Sequence, residues 1–179
     1  MKTVDLERSV LVLVDYQQRL MPAIHDAAEV LAQALLLADV ALALGVRVVG
    51  TEQNPQGLGP NVEALRQRCA STLSKMHFDG CADGLLETLG GAVRDVVVAG
   101  CEAHVCLLQT ALGLLRAGHS VWVVAPACGS RTARDHELAM QRLRQAGANI
   151  VSVEMVTFEW LRSCRQEQFK PVLALLKKT

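Results

Sequence analysis

The stretch Val96-Val97-Val98-Ala99-Gly100-Cys101-Glu102-Ala103-His104-Val105-Cys106-Leu107-Leu108-Gln109-Thr110-Ala111 decides the fold. An apolar, β-branched run ends at a glycine, and a cysteine follows where a helix should begin. This reads as a buried strand, a tight turn and a helix N-terminus bearing a thiol. A helix N-terminus carries roughly +0.5 of a unit charge, a field that favours the thiolate, the nucleophilic form of cysteine. The same backbone N–H groups suit the oxyanion of an acyl intermediate. Against this stands a plainer reading, in which Cys106 is a small buried residue packing helix on sheet.

The pattern repeats outward from that stretch. Residues 10–14 form a continuous apolar run, as in a strand buried on both faces. Residues 27–44 read as a helix with Leu31, Leu35, Ala38 and Leu42 on its buried stripe and Gly45 as its stop. Further strands are expected at 46–50, 72–74, 93–99, 121–125 and 149–153. Helices are expected at 62–68, 84–89, 106–116, 133–145 and 172–177, with Pro171 opening the last. Residues 51–60, with Asn54-Pro55, Gly57, Gly59 and Pro60, read as a loop. Such βα alternation predicts one α/β domain over 1–179, a three-layer α-β-α Rossmann-like arrangement with a mostly parallel central sheet. In such sheets ligands lie beyond the carboxyl ends of the strands.

Composition excludes several classes. Lys plus Arg and Asp plus Glu are 18 each, giving no electrostatic case for nucleic acid or an acidic membrane. Trp122, Phe158 and Trp160 are too scattered for a base-stacking platform. Residues 27–44 come nearest to a membrane span but are broken by Glu29, Gln33 and Asp39. The N-terminal residues, with Asp5 and Glu7 before the first apolar run, do not read as a signal peptide. The six cysteines contain no Cys-x-x-Cys pair and read as free thiols of a reducing compartment, so a cytoplasmic protein is expected.

Three residues meet the edge criterion. Asp15 directly follows the first strand, where its alternative role is a turn or helix cap. Lys75 follows the 72–74 strand, and Cys106 follows the quoted one. A carboxylate can take a thiol proton and return it to a leaving group, and an ammonium can steady that carboxylate and favour the thiolate. Ser130 has Cys128 and Thr132 where a nucleophile elbow needs its two glycines, and Gly57-Leu58-Gly59-Pro60 lacks the third glycine of a phosphate loop.

Here the chain resembles the isochorismatase-like cysteine hydrolases, in particular the small YcaC-like and isochorismatase domain-containing subgroup. The resemblance is carried by Leu13-Val14-Asp15-Tyr16-Gln17, Thr51-Glu52-Gln53-Asn54-Pro55, Gly57-Leu58-Gly59-Pro60, Ser74-Lys75-Met76-His77-Phe78, the Gly100 to Thr110 segment and Ala127-Cys128-Gly129-Ser130-Arg131. It implies Asp15, Lys75 and Cys106 as a catalytic triad. It also implies a non-proline cis peptide before Glu102 that aims the N–H groups of Glu102 and Cys106 at an oxyanion. Nicotinamidases of this superfamily hold a metal with Asp-x-His after the second strand; this chain has Glu52-Gln53-Asn54, so no metal and no other cofactor is expected.

The resulting expectation is a metal-independent cysteine hydrolase cleaving a small amide, carbamoyl or related polar substrate through a Cys106 thioester. Gln17, Asn54 and Phe78 are the substrate-binding candidates; Gln17 reads equally as a loop residue and Phe78 as core. His104, two residues from Cys106, reads as structural. Cys106 is expected to be the most reactive thiol. The alternatives are a non-catalytic binding or scaffold protein and a thiol redox protein using Cys101 and Cys106. A homo-oligomer is expected, because Leu107, Leu108, Leu112, Leu114 and Leu115 make a helix that is apolar nearly all round.

Overall fold

The computed structural model describes residues 3–177. Residues 1–2 and 178–179 of the domain expected over 1–179 lie outside the described residues. Six strands, β1 (Ser9–Val14), β2 (Arg47–Gln53), β3 (Ser71–Lys75), β4 (Asp95–Gly100), β5 (Ser120–Val124) and β6 (Asn149–Val151), form one sheet in the order β3-β2-β1-β4-β5-β6. Every pairing is parallel. Among the described residues eight α-helices accompany it: α1 (Ala27–Ala43), α2 (Pro55–Leu58), α3 (Glu63–Arg66), α4 (Leu85–Leu89), α5 (Leu108–Arg116), α6 (Ala133–Gln145), α7 (Val153–Leu161) and α8 (Phe169–Leu176). On one side α1 packs against α3, α7 and α8; α5 packs against α6 on the other.

Strand order reverses between β1 and β4, so the crevice at the carboxyl ends of these two strands is the topological switch point. Both strands are nearly all Val, Leu and Ala and are buried along almost their whole length, as strands covered on both faces must be. Their register pairs Val14 with Gly100. A side chain on Gly100 would put its Cβ 2.3 Å from the Val14 carbonyl oxygen, so only glycine lets the strand ends approach this closely. Asp15 and Cys101 consequently leave the sheet side by side.

Several expectations are corrected. The buried stripe of α1 is Val30, Ala34, Leu37, Ala38, Val40 and Ala41, while Leu31 and Leu35 are half-buried and Leu42 is 49% exposed. Small alanines let the helix lie close to the sheet, and the bulkier leucines fall to its flanks. The last strand stops at Val151, and α7 starts at Val153, where the sequence suggested more strand. Ser152 caps α7 by accepting from the Met155 N–H. Burial of Val156, Trp160 and Leu161 overrides the modest helix propensity of this β-branched and aromatic segment. Leu107, Leu108 and Leu114 are buried in the protomer and Leu112 and Leu115 half-buried, so these leucines give no reason for an interface. Among the described residues no helix is long and apolar enough to cross a membrane.

Candidate active site

The site is assembled from the ends of β1, β2 and β3 and the turn after β4. Asp15 turns off β1 in the left-handed region at φ 55°, which aspartate tolerates better than most residues. Its side chain is fully buried. Thr51 Oγ1 donates to Oδ1 at 2.7 Å. Oδ2 lies 2.7 Å from Nζ of Lys75 but accepts no well-directed hydrogen bond. Both side chains have 0% exposure. Charges so buried persist only as a pair. Nζ also donates to Gln53 Oε1 at 2.7 Å and, at longer range, to the carbonyls of His77 and Phe78.

Cys106 stands on a turn wider than an α-helix. Residues Ala103–Leu107 wind as a π-type turn, closed by the Leu107 N–H donating to the Glu102 carbonyl at 3.2 Å. Such turns recur at functional sites. The Cys101–Glu102 peptide is cis. The Ala103 N–H donates to the Gly129 carbonyl at 2.7 Å, and the Val105 N–H to that of Glu102 at 3.0 Å. The N–H groups of Glu102 and Cys106 take no part in these bonds. Cys106 is only 6% exposed, and its thiol lies within the fields of both the Asp15 carboxylate and the Lys75 ammonium.

The thiol does not rest as the thiolate that a helix N-terminus alone would favour. Burial, followed by the Asp15 charge, pushes Cys106 up to about 12 despite the opposing Lys75 charge. Cys106 therefore carries its proton at neutral pH, with a carboxylate in place to remove it.

Other anticipated residues fall into distinct places. Gln17 is fully buried; its Oε1 accepts from the Gln53 N–H, and its Nε2 donates to the carbonyls of Gln53 and Gly59. This is the loop role. Asn54 is exposed at φ 38°, and its N–H donates to the Lys75 carbonyl at 2.9 Å. Phe78 is 50% exposed rather than core. His104 Nδ1 lies 3.0 Å from Ser130 Oγ, consistent with a structural place. Glu52 Oε1 accepts from the Asn61 N–H at 2.8 Å. No group of three or more His, Cys, Asp or Glu side chains is arranged to hold a metal among the described residues.

Thr51 and Gln53 were not anticipated. The sequence reading ended β2 at Gly50, whereas the strand runs to Gln53. Continued period-two alternation along Thr51-Glu52-Gln53 would have put both residues on one side, facing Asp15 and Lys75.

An open parallel α/β sheet with an acid, a lysine and a cysteine at its switch point defines a three-layer enzyme-like scaffold with its crevice at the strand ends. The Isochorismatase domain model matches residues 9–155, and the chain belongs to that family, within the isochorismatase-like hydrolase superfamily. Isochorismatase domain-containing protein 2A of Mus musculus is 34% identical over 174 residues, covering 96% of this chain and 84% of the relative. The Xenopus laevis isochorismatase domain-containing protein 2 is 34% identical over 170 residues, covering 94% and 83%. Among solved structures, the MAR1 ribonuclease of Caenorhabditis elegans superposes with a TM-score of 0.93 at 31% identity, covering 98% of this chain and 93% of that one. The Escherichia coli YcaC gene product, described as an octameric hydrolase of unknown specificity, gives 0.90 at 22% identity, covering 98% and 91%.

Proposed function

We propose that this chain, as one hydrolase domain over 1–179, is a metal-independent cysteine hydrolase of a small amide, carbamoyl or related polar substrate. The observation that carries the reading is the fully buried Asp15–Lys75 pair, 2.7 Å apart, with the nearly buried Cys106 thiol under the charges of both. Asp15 takes the thiol proton as Sγ attacks the substrate carbonyl. The C–S bond forms, and the carbonyl electron pair moves to an oxyanion that receives the N–H groups of Glu102 and Cys106. Protonated Asp15 delivers its proton to the leaving nitrogen, the C–N bond breaks, and a thioester remains. Asp15 then deprotonates water, hydroxide attacks the thioester, the acid departs and Cys106 regains its proton. Lys75 keeps the carboxylate placed throughout and offsets the charge that develops on sulfur.

The name of the worm relative raises RNA as a substrate. A thiol 6% exposed above a fully buried ion pair favours a small molecule over a polymer backbone. The use of Glu52 Oε1 by the Asn61 N–H supports catalysis without a metal. The free cysteines support a reducing, cytoplasmic setting. The octamer described for YcaC supports a homo-oligomer here.

The test is a panel of amides, ureides, carbamoyl acids and a short RNA, with acyl adducts trapped and mapped by mass spectrometry. We expect an adduct on Cys106, turnover abolished in Cys106→Ala, and no loss of activity on dialysis against EDTA. Turnover retained by Cys106→Ala, or cleavage of the RNA alone, would overturn the reading.

A further inference from the structure

Lys75 brings three ammonium protons into a place closed to solvent, and among the described residues two oxygens lie close: Asp15 Oδ2 and Gln53 Oε1, each at 2.7 Å. The carbonyls of His77 and Phe78 stand off at 3.3 and 3.5 Å. Gln53 is thus the equal of the carboxylate in fixing where the ammonium sits. Its amide orientation follows from its neighbours. Nε2 donates to the Met76 carbonyl at 2.8 Å, and a flipped amide would set N–H against ammonium and oxygen against carbonyl. Its backbone is fixed as well. The Gln17 side chain accepts from the Gln53 N–H and donates to the Gln53 carbonyl, standing in for a strand partner where β1 has already turned away.

We propose that Gln53 is a positioning residue for the reaction, holding Nζ of Lys75 against Asp15 with an acceptor that carries no charge. The inference rests on the reading of Cys106 as the nucleophile. A neutral acceptor is the informative part. The ammonium carries one positive charge, and Asp15 balances it. A carboxylate at position 53 would set two anions around one cation beneath the thiol and oppose formation of the thiolate. An apolar side chain would leave a buried ammonium proton unpaired and take away the donor to the part-buried Met76 carbonyl. An amide avoids both faults. Gln53 does not touch the reacting atoms; it acts through Lys75.

The experiment follows iodoacetamide alkylation of Cys106 by peptide mass mapping, from neutral to alkaline pH, in a Cys164→Ser background that removes the exposed thiol. Gln53→Met and Gln53→Glu are compared with the parent, with thermal unfolding recorded for each. Gln53→Met is expected to slow alkylation about tenfold at fixed pH. Gln53→Glu keeps an acceptor for Lys75 and serves if Gln53→Met does not fold. It should displace the pH profile of labelling upward by about one unit or more, and because its second oxygen faces the Met76 carbonyl, labelling is read below the onset of its own unfolding. Parent rates and an unmoved midpoint in the folded variants would overturn the inference and leave Gln53 as a strand-end link only. Lys75→Met, labelled at a temperature below the onset of its own unfolding, is the control. If it too leaves Cys106 alkylation unchanged, the reading of the triad fails together with the inference. If it slows labelling while the Gln53 variants do not, the inference alone fails.

Discussion

Lys75 and Asp15 have no contact with solvent, so each holds its charge because the other is there. Breaking such a pair on one side typically costs about 3–5 kcal/mol, since a lone charge is left buried, whereas removing both partners is far less damaging. Lys75→Met and Asp15→Asn should each be strongly destabilised. The double variant should unfold at a denaturant midpoint well above that expected from adding the two losses. Denaturant titration of the four proteins checks this, and strict additivity would mean that the two groups are not coupled. The buried thiols make a second case. Burial raises Cys106 from its ordinary value of 9.0 to about 12 and does the same to Cys128, while burial lifts Tyr16 well above 10.0. A group with a raised value in the folded state contributes fully below its unfolded value and is lost as pH rises towards its folded one. Stability should therefore hold to about pH 9 and fall steadily beyond it. The fall should be shallower in Cys106→Ala/Cys128→Ala, as read by thermal unfolding over an alkaline series. An equal slope in that variant would show that these thiols are not its cause.

At the scale of elements, the closest constraint is where β1 and β4 end together. Gly100→Ala would place Cβ 2.3 Å from the Val14 carbonyl oxygen and 2.5 Å from Val14 Cβ, both on rigid strand ends. Overpacking of this kind costs roughly 1–3 kcal/mol. Here it should also part Asp15 from the Cys106 turn, so Cys106 alkylation should fall more than stability does. A folded Gly100→Ala protein with unchanged labelling would count against this account. The same elements show what could be read from the sequence. The Val-rich runs of β1 and β4, the glycine that ends β4 and helix α6 were plain, because strands buried on both faces leave little choice of residue. Asp15 and Cys106 could be placed at one edge from these strands, and Lys75 only from the weaker 72–74 run. Thr51 and Gln53 were missed because polar residues next to Asn54-Pro55 look like loop, yet β2 continues through them to reach the buried charges. The π-type turn left no sequence signal, since Ala103 to Leu107 suits an α-helix equally well. The phase of α1 was misread because a helix apolar on most sides does not say which side faces the sheet.

For the molecule as a whole, the sheet core is closed but the surface is not uniformly polar. Leu42 on α1, Leu138 on α6, Met155 and Phe158 on α7, and Met76 and Phe78 after β3 are all between 43% and 67% exposed. Met155 and Phe158 are three residues apart and so share one face of α7. Met76 and Phe78 follow Lys75 in sequence, and their turn is held by Asp83, whose Oδ2 accepts from the Met76 and His77 N–H groups at 2.8 Å each. Hydrogen bonds from the His77 N–H and ring hold Asp83 down to about 2, so this turn keeps its anchor through the neutral range. Large apolar side chains on ordered elements are ordinary one at a time, but recurring pairs mark surfaces that another chain covers. The buried leucines of α5 do not offer such a surface; the pairs on α7 and beside Lys75 are where an assembly would be expected to close. A homo-oligomer of closed symmetry is the expected state. Light scattering at micromolar concentration should return a multiple of the 19.3 kDa chain mass, and Met155→Ser/Phe158→Ser should lower that multiple without lowering the unfolding temperature of the protomer core. A parent mass near 19.3 kDa would leave these side chains in water and remove the case for assembly.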